Sequence, residues 1–261
     1  MILTIDVGLR NLAMCIMSAH DKTDISTYKI HLWDTYNTLE NDDYTCNGVQ
    51  KNGNICGKKC GFKYLKEQVV HYCCKMHFPK DLMSGKKIDN KYIFKKKAIN
   101  DYLLQDIARI VLQKLQFIYD SNNELFSSVT QVLIELQPKV NQKMKFTSHI
   151  LYGKLVELYA KDNSKTTIRF VRASQKLKAY TGPVIECKLK SSYSKRKWLS
   201  IEYCRWFLET KFNKNECNTW LSELNNSIKK DDMCDVMLMA INGHYGIPKK
   251  QIRSKSGKCI K

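Results

Sequence analysis

A chain of 261 residues with 43% hydrophobic content can bury a sizeable core, as one main domain with room for an insertion. Its 44 Lys and Arg against 25 Asp and Glu give a formal charge of +19, which points to a polyanionic partner, nucleic acid ahead of a membrane surface. No apolar run approaches the ~20 residues needed to span a bilayer. The opening Met1–Asp6 lacks a basic n-region and places an acid in its first apolar stretch, so it does not read as a signal peptide. Eleven cysteines without an export signal then predict reduced thiols or metal ligands in an intracellular protein, rather than disulfides.

The first elements read as strands. Ile2 to Val7 is a short apolar run closed by Gly8, Leu12 to Ser18 is a second, and Thr27 to Trp33 alternates as a third strand would. Short links predict an antiparallel meander whose first turn is Gly8-Leu9-Arg10-Asn11. From 40 to 97 the pattern follows neither structural period and is rich in Cys, Gly, Lys and Asn; it reads as a metal-held insertion with a basic linker, Lys80 to Lys97. A helix is expected from Asn100 to Tyr119, with Leu103, Leu104, Ile107, Val111 and Ile118 on its buried face. Gln131 to Leu136 is a buried strand ended by Pro138, Lys145 to Ala160 a helix, and Thr167 to Arg172 a strand. Helices follow at Ser174–Tyr180, Lys195–Phe212 and Lys230–Asn242. From Pro248 the chain is basic, and no stable structure is expected there. This order predicts an α/β fold, a mixed sheet with helices packed on it. The core spans 1–39 and 98–247, the insertion 40–97 and the tail 248–261.

The acids carry the chemistry. Hydrolysing a phosphodiester needs an activated water and stabilisation of the leaving oxygen; two divalent ions ~4 Å apart supply both, and clustered carboxylates hold them. Asp6 closes a buried first strand. Glu135 sits inside Val132-Leu133-Ile134-Glu135-Leu136, where both faces should be apolar and a carboxylate needs a metal or a cationic partner. Asp232 and Asp235 are three apart and share a helix face, beside Asp231. Turn initiation, a salt bridge and helix capping are the competing structural roles for these acids.

The motifs also resemble a family. Ile5-Asp6-Val7-Gly8-Leu9-Arg10-Asn11-Leu12-Ala13 is similar to the opening of RuvC-type Holliday junction resolvases, closest to their poxvirus-type and mitochondrial branch with its Asp-x-Gly-x-x-Asn-x-Ala pattern. Lys229-Lys230-Asp231-Asp232-Met233-Cys234-Asp235 resembles that branch's closing Lys-Asp-Asp-x-x-Asp helix, with Cys234 where the family often has Ala. The resemblance covers about residues 1–35 and 100–245. It implies an RNase H-like five-stranded sheet, a homodimer acting on branched DNA, and Asp6, Glu135, Asp232 and Asp235 holding two Mg²⁺ ions, or Mn²⁺, in each active site. It leaves Asp231 open against Asp232 as a ligand. Val171–Lys178 and Tyr193–Trp198 resemble segments that carry basic residues toward the phosphate, which implies Lys178 as a catalytic lysine and Lys195, Lys197 and Arg10 as DNA contacts. Viral DNA recombination, repair and concatemer resolution are the implied setting, in the cytoplasm, a viral factory or the nucleus.

The cysteine cluster is a departure from that family. Cys74-Lys75-Met76-His77 has a spacing that can grip one Zn²⁺, and Cys46 with Cys56 can complete a tetrahedron; Cys60 and Cys73 remain alternatives. The loop Gly48 to Gly53 would turn the chain between the first two ligands. Two other readings stay open. One is a different RNase H-fold enzyme, cutting RNA–DNA hybrids or acting as a transposase. The other is a zinc-stabilised DNA-binding protein without catalysis.

Overall fold

The computed structural model describes residues 1–38, 44–95, 98, 101–137, 140–161 and 165–245. Two units emerge, one built from Met1–Tyr36 and the chain from Ile107 onward, the other from Asn37–Asp106. In chain order the strands are β1 Ile2–Val7, β2 Asn11–Ala19, β3 Tyr28–Asn37, β4 Phe62–Lys66, β5 Val69–Cys73, β6 Gln131–Leu136 and β7 Thr167–Arg172. The α-helices are α1 Leu104–Ser121, α2 Asn123–Ser127, α3 Gln142–Lys161, α4 Ser192–Thr210, α5 Lys214–Asn226 and α6 Lys230–Tyr245.

The first unit holds a five-stranded sheet in the order β3-β2-β1-β6-β7. β1 pairs antiparallel with β2, while β6 runs parallel to both β1 and β7. The hairpin between β1 and β2 needs Gly8: its amide donates to the Asn11 carbonyl at 2.9 Å, and a Cβ there would stand 2.6 Å from that same oxygen. Strands β1 and β6 are buried along nearly their whole length, as inner strands covered on both faces must be.

Helices close the two faces. α3 lies across β1, β6 and β7, and α1 meets α3 through the edge-to-face pair Tyr119 and Tyr159. On the other face α6 packs on β1 and β2 with α4 and α5 around it. From Met233 to Ile241 every residue of α6 except Asp235 is buried, which is why this helix shows no single apolar stripe. Two hydrogen bonds fix its position: Thr4 Oγ1 donates to the Val236 carbonyl at 2.8 Å, and Trp33 Nε1 to the Met233 carbonyl at 2.7 Å.

Several expectations need correction. Leu103 and Leu104 are 60% and 45% exposed, and the buried stripe of α1 is Ile107, Val111, Leu115, Ile118 and Tyr119. The helix expected at Ser174–Tyr180 is a 3-10 helix, Ala173–Ala179. α5 was not expected; Asn213 caps it, accepting from the amides of Asn215 and Glu216, and Leu224 buries its apolar side. Pro138, Asn100 and the chain from Pro248 lie outside the described residues.

The second unit is built on aromatic rings and thiols rather than aliphatic side chains. Cys46, Cys60, Cys73, Cys74 and Phe78 form its buried centre. Tyr44, Phe62, Tyr64, Tyr72, Leu82, Met83, Ile88, Tyr92 and Phe94 surround it. The described part of the segment read as a linker thus packs onto the centre instead of trailing from it. The β4–β5 hairpin, also unexpected, turns at Glu67 and Gln68, both with positive φ.

Candidate active site and metal centres

Parallel pairing sets Asp6 and Glu135 side by side. β1 and β6 run in register from Ile2 with Gln131 to Ile5 with Ile134, so the next residue on each strand is an acid at the same sheet end. α6 brings Asp235 to them, held by the bonds from Thr4 and Trp33. One carboxylate oxygen from each of Asp6, Glu135 and Asp235 lies within 4.8 Å of the others.

Burial and crowding make this trio costly. Burial pushes the Asp6 carboxyl well above its ordinary range, the charges of Glu135 and Asp235 push it further, and Lys176 pulls part of the way back. Asp235 is also raised, chiefly by burial, against the opposing pull of Lys176 and Ser200. Lys176 Nζ sits 3.1 Å from Glu135 Oε2 and 2.5 Å from Asp235 Oδ2, with only 13% of its side chain exposed. Burial alone would lower this lysine; Asp235, Glu135 and Asp6 together drive it upward, so it stays charged. Ser200, buried on α4, donates to Asp235 Oδ1 at 2.5 Å. A compact set of hard oxygen donors carrying more negative charge than its one lysine offsets suits a divalent ion such as Mg²⁺ or Mn²⁺.

The remaining expected residues divide. Asp232 is not among the three converging acids, though it lies one turn from Asp235, and burial together with Asp231 raises its carboxyl. Asp231 pairs with Lys197, whose ammonium also lies 5.1 Å over the Tyr193 ring; that partner outweighs burial and holds Asp231 below the usual carboxylate range. Lys178 is exposed, and the lysine among the carboxylates is Lys176. A 3-10 helix repeats every three residues, so Lys176 shares a face with Ala173 and the buried Ala179 while Lys178 points elsewhere. Lys195 is exposed on α4, and Arg10 is half-buried in the β1–β2 turn. Sequence reasoning missed Ser200, whose signal was a small polar residue four and seven before the buried Cys204 and Phe207.

The second unit gathers the other ligand set. Cys46, Cys56, Cys74 and His77 place one ligand atom each within 4.8 Å of the rest. Cys56 and Cys74 sulfurs are 3.8 Å apart, and His77 Nδ1 is 3.5 Å from Cys46 Sγ and 3.4 Å from Cys74 Sγ. A tetrahedron with Zn–S of about 2.3 Å and Zn–N of about 2.0 Å has edges of about 3.8 and 3.5 Å, so the quartet fits zinc. The other ring nitrogen, Nε2, donates to the Val49 carbonyl at 3.1 Å, a partner that leaves Nδ1 free to ligate. Gly48 is required beside the ring, since a Cβ there would meet His77 Cγ at 2.3 Å. Although burial raises the Cys74 thiol, its contacts with the His77 ring, the His77 and Met76 amides and Cys56 outweigh it and bring it to about 6, toward the thiolate a metal needs. Cys60 and Cys73 stand outside the quartet, and burial pushes Cys73 up to about 11.

The fold is α/β, a mixed five-stranded sheet flanked by helices, as expected. No protein-family model matches the chain. Its sequence is 28% identical over 233 residues to an uncharacterized protein of Acanthamoeba polyphaga mimivirus, an alignment covering 83% of this chain and 54% of that protein. The chain therefore spans about half the length of this curated relative. Among solved structures it is similar to the yeast mitochondrial Holliday junction resolvase, at 15% identity and a TM-score of 0.46, covering 94% of this chain and 79% of that one. It is also similar to Thermus thermophilus RuvC, at 10% identity and a TM-score of 0.43, covering 94% and 96% of the two chains. No helix among the described residues is long and apolar enough to cross a membrane.

Proposed function

We propose that this chain is a divalent-metal-dependent endonuclease that cuts four-way junctions and other branched DNA. The observation that carries the reading is the meeting of Asp6, Glu135 and Asp235 at one end of two parallel strands and one helix. Divalent ions held there would supply the activated water and the charge stabilisation that phosphodiester hydrolysis needs. The protein's own groups do the rest. Asp6 and Glu135 are fixed by strand pairing, so their oxygens need no reorganisation to ligate. Ser200 orients Asp235, and Lys176 offers a buried cation to a phosphate approaching the carboxylates. Asp232 supplies the further carboxylate that a second ion requires.

The choice of junction DNA rests on the opening Asp-x-Gly-x-x-Asn-x-Ala pattern, the closing Lys-Asp-Asp-x-x-Asp segment and the +19 formal charge. Recognition of a branch needs shape and backbone contacts rather than bases, and Arg10, Lys195 and Lys197 are assigned to them. A homodimer would place two such sites on strands of like polarity. Zn²⁺ in the Cys46–Cys56–Cys74–His77 quartet has a structural role, because the second unit has few aliphatic side chains to bury. The test is cleavage by the purified protein with Mg²⁺ of an immobile four-way junction, a matching linear duplex and an RNA–DNA hybrid. Paired nicks confined to the junction support the reading. Cleavage of the hybrid instead replaces the substrate, and tight junction binding without cleavage of any of the three replaces the enzyme with a DNA-binding protein.

Two expected results follow from the site. Lys176→Met leaves the carboxylates without their cation, and breaking a buried pair of this kind costs about 3 kcal/mol. The melting temperature of the variant falls in metal-free buffer and recovers with Mg²⁺, and nicking drops about a hundredfold; paired melts with and without the ion check this. Asp232→Asn reduces nicking less than Asp235→Asn does, because Asp232 stands outside the converging trio. Single-turnover rates of the two variants at one Mg²⁺ concentration decide it.

A further inference from the structure

Charge is concentrated in the second unit. Residues 44–95 are about a fifth of the chain, yet they hold eleven lysines and no arginine against Glu67, Asp81 and Asp89. Among the described residues only Lys91 has a carboxylate partner there, Asp89 at 3.8 Å. These lysines are exposed, and a zinc-held fold as such needs none of them. A set of unpaired ammonium groups this dense is a footprint for polyphosphate.

The unit also has a shaped place to receive one. The segment 93–95 runs along β4, with Phe62 bridged to Ile93 and the Phe94 amide donating to the Gly61 carbonyl at 2.9 Å. Beside this junction opens a cleft of about 540 Å³ lined by Lys63, Asn90, Ile93, Phe94 and Lys95. Phe94 is held edge-on against Tyr44 and Tyr72, whose rings stack at 3.8 Å, so the aromatic wall is fixed before anything binds.

We infer that this cleft holds a DNA strand by its backbone, making the zinc-held unit a second DNA contact in addition to the nuclease site. Lys63 and Lys95 meet phosphates, Asn90 hydrogen-bonds the backbone, and Ile93 with Phe94 packs against sugar or an unstacked base. Lysine ammonium groups are point charges without a bidentate fork, so the contact is blind to sequence and fits branched DNA of any sequence. The choice of DNA over other polyanions rests on the proposed nuclease reading.

The experiment measures affinity of the full-length, zinc-loaded protein for a labelled immobile four-way junction across a salt series, with no Mg²⁺ added. Lys63→Glu/Lys95→Glu is compared with Lys51→Glu/Lys86→Glu, which changes net charge equally at sites outside the cleft. Zinc content and melting temperature are measured for both. Should the first pair misfold, Lys63→Gln/Lys95→Gln replaces it, with Lys51→Gln/Lys86→Gln as its control. The inference predicts that the cleft pair weakens binding at least about tenfold and lowers the salt slope by about 1.8, the change expected when two phosphates are no longer neutralised, while the control pair changes affinity less than about twofold. Equal weakening in both pairs, or none in the cleft pair, overturns it. Because cleavage is not read, a protein that binds in this way but never nicks DNA would sink the nuclease reading and leave this one standing.

Discussion

Glu135→Gln abolishes nicking of junction DNA, lowering the rate by about 10³-fold or more, roughly 4 kcal/mol of transition-state stabilisation, with junction affinity changed by less than about threefold. The amide has the size and shape of the acid, so β6 keeps its pairing with β1 and β7. What is lost is one anionic oxygen among three, and with it much of the attraction for a divalent ion. Asp6→Asn and Asp235→Asn behave alike, since each supplies one of the same converging oxygens. Binding survives because backbone contacts come from basic residues and do not pass through the carboxylates. Single-turnover cleavage beside equilibrium binding separates the two effects. A Glu135→Gln protein that nicks at the wild-type rate would show that the acids are structural.

Removing zinc has the second large effect, on stability rather than rate. In small zinc domains metal binding supplies about 10–16 kcal/mol of folding free energy, and this unit has no alternative source of comparable size. Its buried centre is four cysteines and one phenylalanine. Cys46→Ser or His77→Ala therefore reduces bound zinc from about one ion per chain to none and removes protection from proteolysis across residues 44–95. The sheet of the first unit keeps its own melting transition, because a buried cluster of its own joins β2 and β3 to α4 and α6. Elemental analysis with limited proteolysis reads both outcomes. A zinc-free protein with the same proteolytic pattern would contradict the assignment of the quartet.

Legibility in the sequence followed physical cause. β6 and β7 have the bounds expected of them, Gln131–Leu136 and Thr167–Arg172; β6 is covered on both faces and leaves a continuous apolar signature, whereas the edge strand β7 alternates exposed and half-buried residues along most of its length. Glu135 stood out for the complementary reason, as an acid where the pattern calls for apolar side chains, while Asp6 at a strand end and Asp235 beside Asp231 and Asp232 were marked by the family resemblance. Cysteine spacing led to the quartet, but only geometry separates Cys56 and Cys74 from Cys60 and Cys73.

What stayed hidden depended on local choices with weak signals. The β4–β5 hairpin turns on Glu67 and Gln68 in the left-handed region, where Asn-Gly would have announced it. α5 is polar along most of its length and starts two residues after Phe212, so no apolar stripe announced a further helix beyond the one expected to end there. Lys176 and Lys178 are equivalent on composition, and only the three-residue period of the 3-10 helix directs Lys176 inward. The spacing of Ser200 from Cys204 and Phe207 marks it as buried but not its role, since a buried serine on a helix has several uses and only contact with Asp235 assigns one.

The most direct test of the central claim is Mn²⁺ binding to zinc-loaded protein, followed by electron paramagnetic resonance for the wild type, Asp6→Asn and Glu135→Gln. The account predicts that the wild type captures Mn²⁺, that Mg²⁺ competes it off, and that both variants lose this binding while retaining their zinc. Wild-type Mn²⁺ binding unchanged in Glu135→Gln, or absent from all three proteins, would contradict a metal site built from Asp6, Glu135 and Asp235.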